Sequence, residues 1–234
     1  MYNRKSAADK LTNNQLQVIL TGKFGDGYLY IPKQLKHGNY YYYTNSIQED
    51  IIKFKLQLLD NLVFNKNIYS IINTGYKKNT LYSIRSISSK LITDIACEDW
   101  KISLNRLDEL GLALWFYDDG SLHKTQLFYN LNTQKFSKED NLYIINYLYK
   151  KWGIKALLTP EHKKSGKTYW YLRIKKYEGA IFISDIMRKY YIPCYDYKLI
   201  SSETSLKWCK LQEKLKSTNI DIFQLSTKKI NKNA

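Results

Sequence analysis

The chain has 234 residues, of which 37 are Lys or Arg and 21 are Asp or Glu, which gives a formal net charge of +16 at pH 7. A hydrophobic content of 44% is enough to bury a core, which excludes a disordered basic tail and fits one compact domain or two small halves sharing a core. The positive charge is spread along the chain and indicates an anionic partner, most often nucleic acid, although a lysine-rich bias typical of AT-rich codon usage contributes.

The cysteines and the apolar segments exclude further classes of protein. Cys97, Cys194 and Cys209 are scattered, so the sequence predicts neither a zinc site nor a disulfide framework. The N-terminus lacks the apolar segment of a signal peptide, and no stretch approaches the roughly 18 apolar residues of a membrane span. We therefore expect a soluble, intracellular protein with no membrane partner.

The first part of the chain predicts a helix, two strands, a second helix, a strand after a polar hairpin tip, and a third helix. Thr12 caps the first helix, which ends at Gly25-Asp26-Gly27. Ser46 and Glu49 predict a capping box for the second helix. The predicted elements and the polar tip occupy, in chain order, residues 11–27, 28–31, 39–45, 46–63, 75–80, 81–88 and 90–96.

The second part of the chain repeats this order. Ser103 is the expected cap of a helix over 103–120, which is apolar nearly all round from Leu110 to Tyr117 and is therefore predicted to be buried on more than one face. Ser137 caps the next long helix, which ends before Gly153. The strands, tip and last helix are expected at 121–124, 126–132, 162–168, 169–176 and 179–187.

Element order and spacing agree between the two parts, which indicates an internal repeat. We predict an α+β fold of two pseudo-symmetric αββαββα halves, residues 11–102 and 103–208, followed by a polar tail at 209–234. In the strand at 169–176, one face carries Trp170, Leu172 and Ile174 and packs on helices. The opposite face carries cationic and aromatic side chains suited to phosphates and base edges, namely Tyr169, Tyr171, Arg173 and Lys175.

Two aspartates stand at equivalent places in the repeat, Asp26 and Asp119, each directly before a glycine. A single Asp-Gly pair is a common turn signal, but its repetition in a basic chain favours a function. A carboxylate at a helix C-terminus is destabilised by the helix dipole, and two converging carboxylates also repel each other. A divalent cation, usually Mg²⁺, would relieve this repulsion and can support phosphodiester hydrolysis.

The segments ILTGKFGDG, 19–27, and LALWFYDDG, 112–120, resemble the two motifs of single-chain LAGLIDADG homing endonucleases of the mitochondrial, group I intron-encoded type. The first motif departs from the usual pattern, with Thr21, Gly22 and Lys23 in its middle. The resemblance implies that the motif helices pack at a central interface and that two saddle-shaped antiparallel sheets lie in the DNA major groove. It also implies a staggered double-strand cut, with 3′ overhangs, in a long asymmetric target, and a location in a mitochondrion or in bacterial or phage-host cytoplasm.

The resemblance further implies roles for individual residues. The catalytic residues would be Asp26, Asp119, Lys198 and Lys101, and the metal, Mg²⁺ with Mn²⁺ as a substitute, would be bound among Asp26, Gly25, Asp119 and Asp118. From the strand pattern and the resemblance together, the DNA-contacting residues are expected to be Arg85, Gln126, Asn130, Asn132, Tyr169, Tyr171, Arg173 and Lys175. Two motifs in one chain imply a monomer that needs no second protein chain.

Two alternatives use the same fold. An intron RNA maturase would bind its host intron RNA, with or without DNA cleavage, and a transcription regulator would bind DNA without cutting it. Retention of both Asp26 and Asp119 favours the double-strand endonuclease, because binding alone needs no converging carboxylates. The retained acids do not exclude a dual function.

Overall fold

The computed structural model describes residues 10–31, 38–73, 79–174 and 178–217. The α-helices are α1 Asn13–Thr21, α2 Glu49–Leu59, α3 Lys90–Cys97, α4 Trp100–Asn105, α5 Glu109–Asp119, α6 Lys138–Trp152, α7 Glu178–Lys189 and α8 Ser202–Ser217. The strands are β1 Gly27–Tyr30, β2 Tyr41–Ser46, β3 Tyr69–Asn73, β4 Asn79–Arg85, β5 Gly120–His123, β6 Phe128–Leu131, β7 Ala156–His162 and β8 Thr168–Ile174.

These strands form two antiparallel four-stranded sheets with the same internal order. The first sheet runs β1-β2-β4-β3 and the second β5-β6-β8-β7. The registers also match, because Gly27 pairs with Thr44 in the first sheet and Gly120 with Leu131 in the second. The predicted α+β class and the two-sheet repeat are therefore confirmed.

Local sequence signals placed several helix ends correctly. Thr12 caps α1 in a capping box with Gln15, and Ser137 caps α6 by accepting from the amide of Asp140. Gly153 ends α6 with φ of 67°, in the left-handed region that a glycine adopts without strain.

Two predicted caps are wrong. Ser103 lies inside α4, where its hydroxyl donates to Glu98, and the motif helix α5 starts six residues later because Asp108 caps it by accepting from the amide of Gly111. Ser46 forms no capping box with Glu49, since its hydroxyl accepts instead from the amide of Gln48, which precedes α2.

Helices α1 and α5 pack closely against each other. A Cβ on Gly111 would collide with the side-chain oxygen of Gln17, so the two backbones approach where α5 has no side chain. The buried Gln17 side chain donates to the carbonyl of Arg106 at 3.1 Å and accepts from the amide of Asp108 at 3.0 Å. This packing brings the C-terminal ends of the two motif helices together.

Each sheet buries one face. Tyr42 and Ile84 of the first sheet and Leu172 and Ile174 of the second are fully buried, whereas Arg173 between the last two is only partly buried. The predicted alternation is therefore confirmed at 172–174, while Lys175 lies outside the described residues.

The described residues up to Leu199 form one compact unit, and those from Ile200 onwards form a second that contains α8. The expected boundary between the halves, 102–103, falls within α4, so the division into halves stays a prediction. No helix in the four described ranges has both the length and the apolar character that a membrane crossing requires.

Candidate active site and nucleic-acid interface

The two motif aspartates follow their helices differently. Asp119 is the last residue of α5, whereas α1 ends at Thr21 and a tight turn through Gly22 leads to Asp26. In that turn the amide of Phe24 donates three residues back, to the carbonyl of Thr21. The prediction that both acids end a helix is correct for Asp119 and wrong for Asp26, because the glycines of the first motif weaken the helix.

The glycine after each aspartate is required by packing. A Cβ on Gly27 would lie 2.6 Å from the ring of Tyr42, and a Cβ on Gly120 would lie 2.9 Å from the ring of Phe116. A side chain at either position would force the backbone or the neighbouring ring to shift. The repeated Asp-Gly pair therefore reflects close backbone packing where β1 and β5 begin.

Both aspartates are disfavoured as anions in the metal-free protein. Burial, with repulsion from Asp118 and Asp26, raises the pKa of Asp119 to about 7. Burial and repulsion from Asp118 also raise the pKa of Asp26, although part of its side chain remains exposed. The buried indole N–H of Trp115 opposes the shift at Asp119 but makes no hydrogen bond of good geometry among the described residues. The site thus concentrates negative charge that is not fully neutralised.

Asp118, next to Asp119, already forms an ion pair with a lysine. Lys55 of α2 donates to its two oxygens at 2.8 and 3.0 Å, and the two side chains are 1% and 2% exposed. Burial opposes the charge of Lys55, but the Asp118 carboxylate outweighs it and raises the pKa of Lys55. Asp118 also accepts from the backbone amide of Asp26 at 3.1 Å. This ion pair joins an element of the first half to the motif helix of the second.

Lys198 lies close enough to the same carboxylates to interact with them electrostatically. Its Nζ donates to the carbonyl of Tyr117 at 2.5 Å and lies 4.8 Å from the ring centroid of Tyr195. Burial lowers the pKa of Lys198, while Asp118, Asp26 and Asp119 oppose this shift. A buried ammonium held at the helix end can counter negative charge that gathers there.

Lys101 was expected beside the acids, but the lysine of this part of the chain that acts on both of them is Lys135. Lys101 Nζ lies 5.0 Å from the ring centroid of Tyr143, and its expected catalytic role gains no support from this position. Lys135, which follows β6, is exposed, and its positive charge partly opposes the rise in the pKa of both acids. Sequence reasoning missed Lys135 because a lysine in a polar loop carries no signal of its own.

Lys55 was also missed, although a signal existed. It occupies a core-facing helical position, three residues after Ile52 and four before Leu59, and all three side chains are buried. A lysine in an apolar stripe indicates a buried charge that needs a partner. The partner itself could not be read from the sequence, because Asp118 is 63 residues away.

The donor set at this site suits a hard divalent cation. Within the described ranges, no group of three or more His, Cys, Asp or Glu side chains is arranged to hold a metal alone. Asp26 and Asp119 offer carboxylate oxygens that repulsion and burial leave undercompensated, and Mg²⁺ is commonly held by one or two carboxylates together with substrate phosphates and water. The residues therefore fit such an ion.

Arg85 and Arg173 occupy equivalent positions on the two sheets. Arg85 pairs with Tyr43 across the first sheet, and Arg173 pairs with Asn130 across the second. Each guanidinium lies over an aromatic ring, Arg85 at 5.4 Å from Tyr41 and Arg173 at 4.5 Å from Phe128. The two halves thus present an arginine at the same place on their open faces.

The remaining sequence-predicted DNA contacts surround these arginines unevenly. Asn130 and Tyr171 both hydrogen-bond Arg173, at 3.2 and 3.1 Å. Tyr169 lies partly buried on β8, and Asn132 is exposed directly after β6. Gln126 is exposed in the turn between β5 and β6 and not on a strand, because β6 begins two residues later than predicted.

The sequence and fold identify the protein family. A model of the LAGLIDADG DNA endonuclease family matches residues 17–182, and the chain belongs to this family. Over 96 residues the chain is 33% identical to a probable intron-encoded DNA endonuclease 3 of Mycosarcoma maydis. That alignment covers 41% of this chain and 66% of the relative.

Solved structures show the same fold. The homing endonuclease I-WcaI bound to its DNA recognition sequence is 24% identical, with a TM-score of 0.64 over 82% of this chain and 88% of that chain. An I-DmoI variant in complex with its target DNA nicked in the coding strand, in the presence of Mn, is 18% identical, with a TM-score of 0.51 over 76% and 98% of the two chains.

The raised pKa of Asp119 predicts a pH-dependent stability in the metal-free protein. Between its ordinary value of 3.8 and about 7, the folded chain binds more protons at this group than the unfolded chain, so this contribution to stability falls as pH rises. In EDTA, thermal unfolding should show a larger drop in Tm from about pH 5 to about pH 8 for the native protein than for Asp119→Asn. Glu109→Gln, at the start of the same helix, where the half-exposed carboxylate pairs with Lys189, is the control and should keep the native dependence. An equal drop in Asp119→Asn would contradict the assignment.

Proposed function

We propose that this chain is a site-specific endonuclease that hydrolyses both strands of a long, asymmetric DNA duplex with a staggered cut. The observation that carries the proposal is the undercompensated pair Asp26 and Asp119 at the packed ends of two motif elements, directly before the strands β1 and β5 that lead into the two sheets. Family membership and a net charge of +16 support DNA as the substrate.

Each site residue has a role that follows from its surroundings. Asp26 and Asp119 would hold Mg²⁺, or Mn²⁺ as a substitute, and the bound ion would activate water and neutralise oxyanion charge on the scissile phosphates. Lys198, fixed by the Tyr117 carbonyl, can stabilise a phosphate that gains negative charge. Lys135, exposed yet acting on both acids, can attract the backbone of the incoming strand.

The carboxylate pair argues against a function limited to binding. Two neighbouring carboxylates lower the affinity of a surface for a polyanion, and a maturase or a regulator gains nothing from them. Cleavage selection from a randomised duplex library with Mg²⁺ tests the proposal directly and yields the target. Failure to recover any cut sequence, with binding retained, would favour the RNA-binding alternative.

The first prediction from this proposal concerns the two acids. Asp26→Asn and Asp119→Asn should each abolish double-strand cleavage of the selected duplex while DNA affinity stays within a few-fold of native, because the amide keeps the shape but is a poor ligand for a hard cation. Cleavage on plasmid DNA and binding in Ca²⁺ would be measured side by side. Glu109→Gln serves as the control on α5, and native-like cutting by either Asn variant would remove that residue from the mechanism.

Arg173 is proposed to read one base pair. Its guanidinium is fixed by Asn130, Tyr171 and the Phe128 ring, and a fixed planar donor suits bidentate contact with guanine. Arg173→Ala should weaken binding by about 1–3 kcal/mol, relax specificity at one position and leave the salt dependence nearly unchanged.

Arg85→Ala is the matched comparison, since Arg85 has the equivalent place in the repeat and the same charge, while Tyr43 and Ser83 stand where Arg173 has Asn130 and Tyr171. Specificity profiles and salt titrations of both variants would be compared. If Arg173→Ala lowers the slope of log affinity against log salt by about one without relaxing any position, Arg173 contacts a phosphate and not a base.

We also propose that one chain suffices for one target. The two sheets present different side chains at equivalent places, such as Tyr43 against Asn130 and Ser83 against Tyr171, so the two half-sites should differ in sequence. Sedimentation of the protein with its selected duplex should give a 1:1 complex of a monomer. Two chains per duplex, or a palindromic preferred target, would contradict this arrangement.

A further inference from the structure

Asp118 breaks the symmetry of the candidate active site. Counting back from the two motif acids, Asp118 stands where the first half has Gly25. The two positions meet in the structure, because a Cβ on Gly25 would lie 2.7 Å from the Cβ of Asp118. The glycine in one motif thus leaves room for the extra carboxylate of the other.

The oxygens of Asp118 are committed to groups of the first half. Lys55 contacts both oxygens, and the oxygen at 3.0 Å from Lys55 also accepts the backbone N–H of Asp26 at 3.1 Å. With its side chain almost fully buried, Asp118 has little room for a further ligand. These contacts do not fit the metal-ligand role that the resemblance implied for Asp118.

The geometry points to Asp118, with its charge balanced by Lys55, as a positioning residue that fixes the backbone at Asp26 through the acceptor oxygen and so places the first-half carboxylate for cleavage. This inference rests on the proposed function. Asp26 needs such support more than Asp119 does, because it follows a glycine-rich turn and not the body of a helix. The hydrogen bond crosses from the second half to the first, so it also ties the two acids to one another.

A pair of double variants separates positioning from charge. Lys55→Met with Asp118→Asn removes the ion pair but keeps an oxygen that can accept the Asp26 N–H. Lys55→Met with Asp118→Leu removes both the pair and the acceptor. Replacing both partners avoids an unpaired buried charge, so both proteins are expected to fold.

The expected result is a split between these two proteins. On the duplex selected with the native enzyme, the Asn double variant should cleave within about three-fold of native, and the Leu double variant should cleave about 10- to 100-fold more slowly with unchanged DNA affinity in Ca²⁺. Lys53→Met, an exposed lysine on the same helix, is the control and should cleave at the native rate. Tm values and strand-resolved rates would be measured for all of them.

Three outcomes would overturn the inference. Equal, native-like cleavage by both double variants would make the hydrogen bond dispensable. Equal loss in both, at native-like Tm, would assign the effect to the ion pair itself. A loss in the Leu variant that tracks its Tm, and disappears at a lower temperature, would assign a purely structural role. Failure of the proposed function would look different. In that case the native protein would not cleave DNA, or Asp26→Asn would cleave it at the native rate, whatever the double variants do.

Discussion

The close contact of α1 with α5 is the constraint on which the site depends. The helices approach because Gly111 leaves space for Gln17, and Gln17 in turn satisfies backbone groups of the turn before α5. The contact carries the motif aspartates to one place, where partial burial and like charges disfavour the anionic form of both, and the C-terminal end of α5 adds to this at Asp119. The cations Lys55, Lys198 and Lys135 lie where they counter this charge only in part, which leaves the acids able to take up a divalent ion.

Sequence reasoning recovered the two-sheet repeat and the alternation at 172–174 because these features are encoded locally. Thr12, Ser137 and Gly153 each determine a helix end through their own backbone or side-chain chemistry. Ser103 failed because Asp108 competes for the same helix start five residues later, and propensity alone does not rank two adequate caps. The truncation of α1 was missed because the aspartates were matched by motif position, whereas the glycines between Thr21 and Asp26 decide where the helix ends.

The charge pairings of the site could not be predicted from the sequence for a different reason. Lys55 and Asp118 are 63 residues apart, and their pairing depends on the packing of α2 beside the end of α5. Asp118 alone carries no sign of a buried ion pair. A lysine at a core-facing position predicts a buried partner, but only the tertiary fold says which acid supplies it. The same holds for Lys135, whose influence on both acids arises from the path of the chain after β6.

The two halves share a backbone arrangement but carry different side chains at equivalent positions. Shared strand order and register place Arg85 and Arg173 at equivalent points over equivalent aromatic rings. The neighbours then differ, so one guanidinium is fixed by Asn130 and Tyr171 and the other is exposed on its sheet. The two motifs also differ where they meet. Gly25 of the first motif leaves the space that the Asp118 carboxylate of the second motif occupies. A duplicated fold that varies such positions independently can keep its acids together while each half contacts a different DNA sequence.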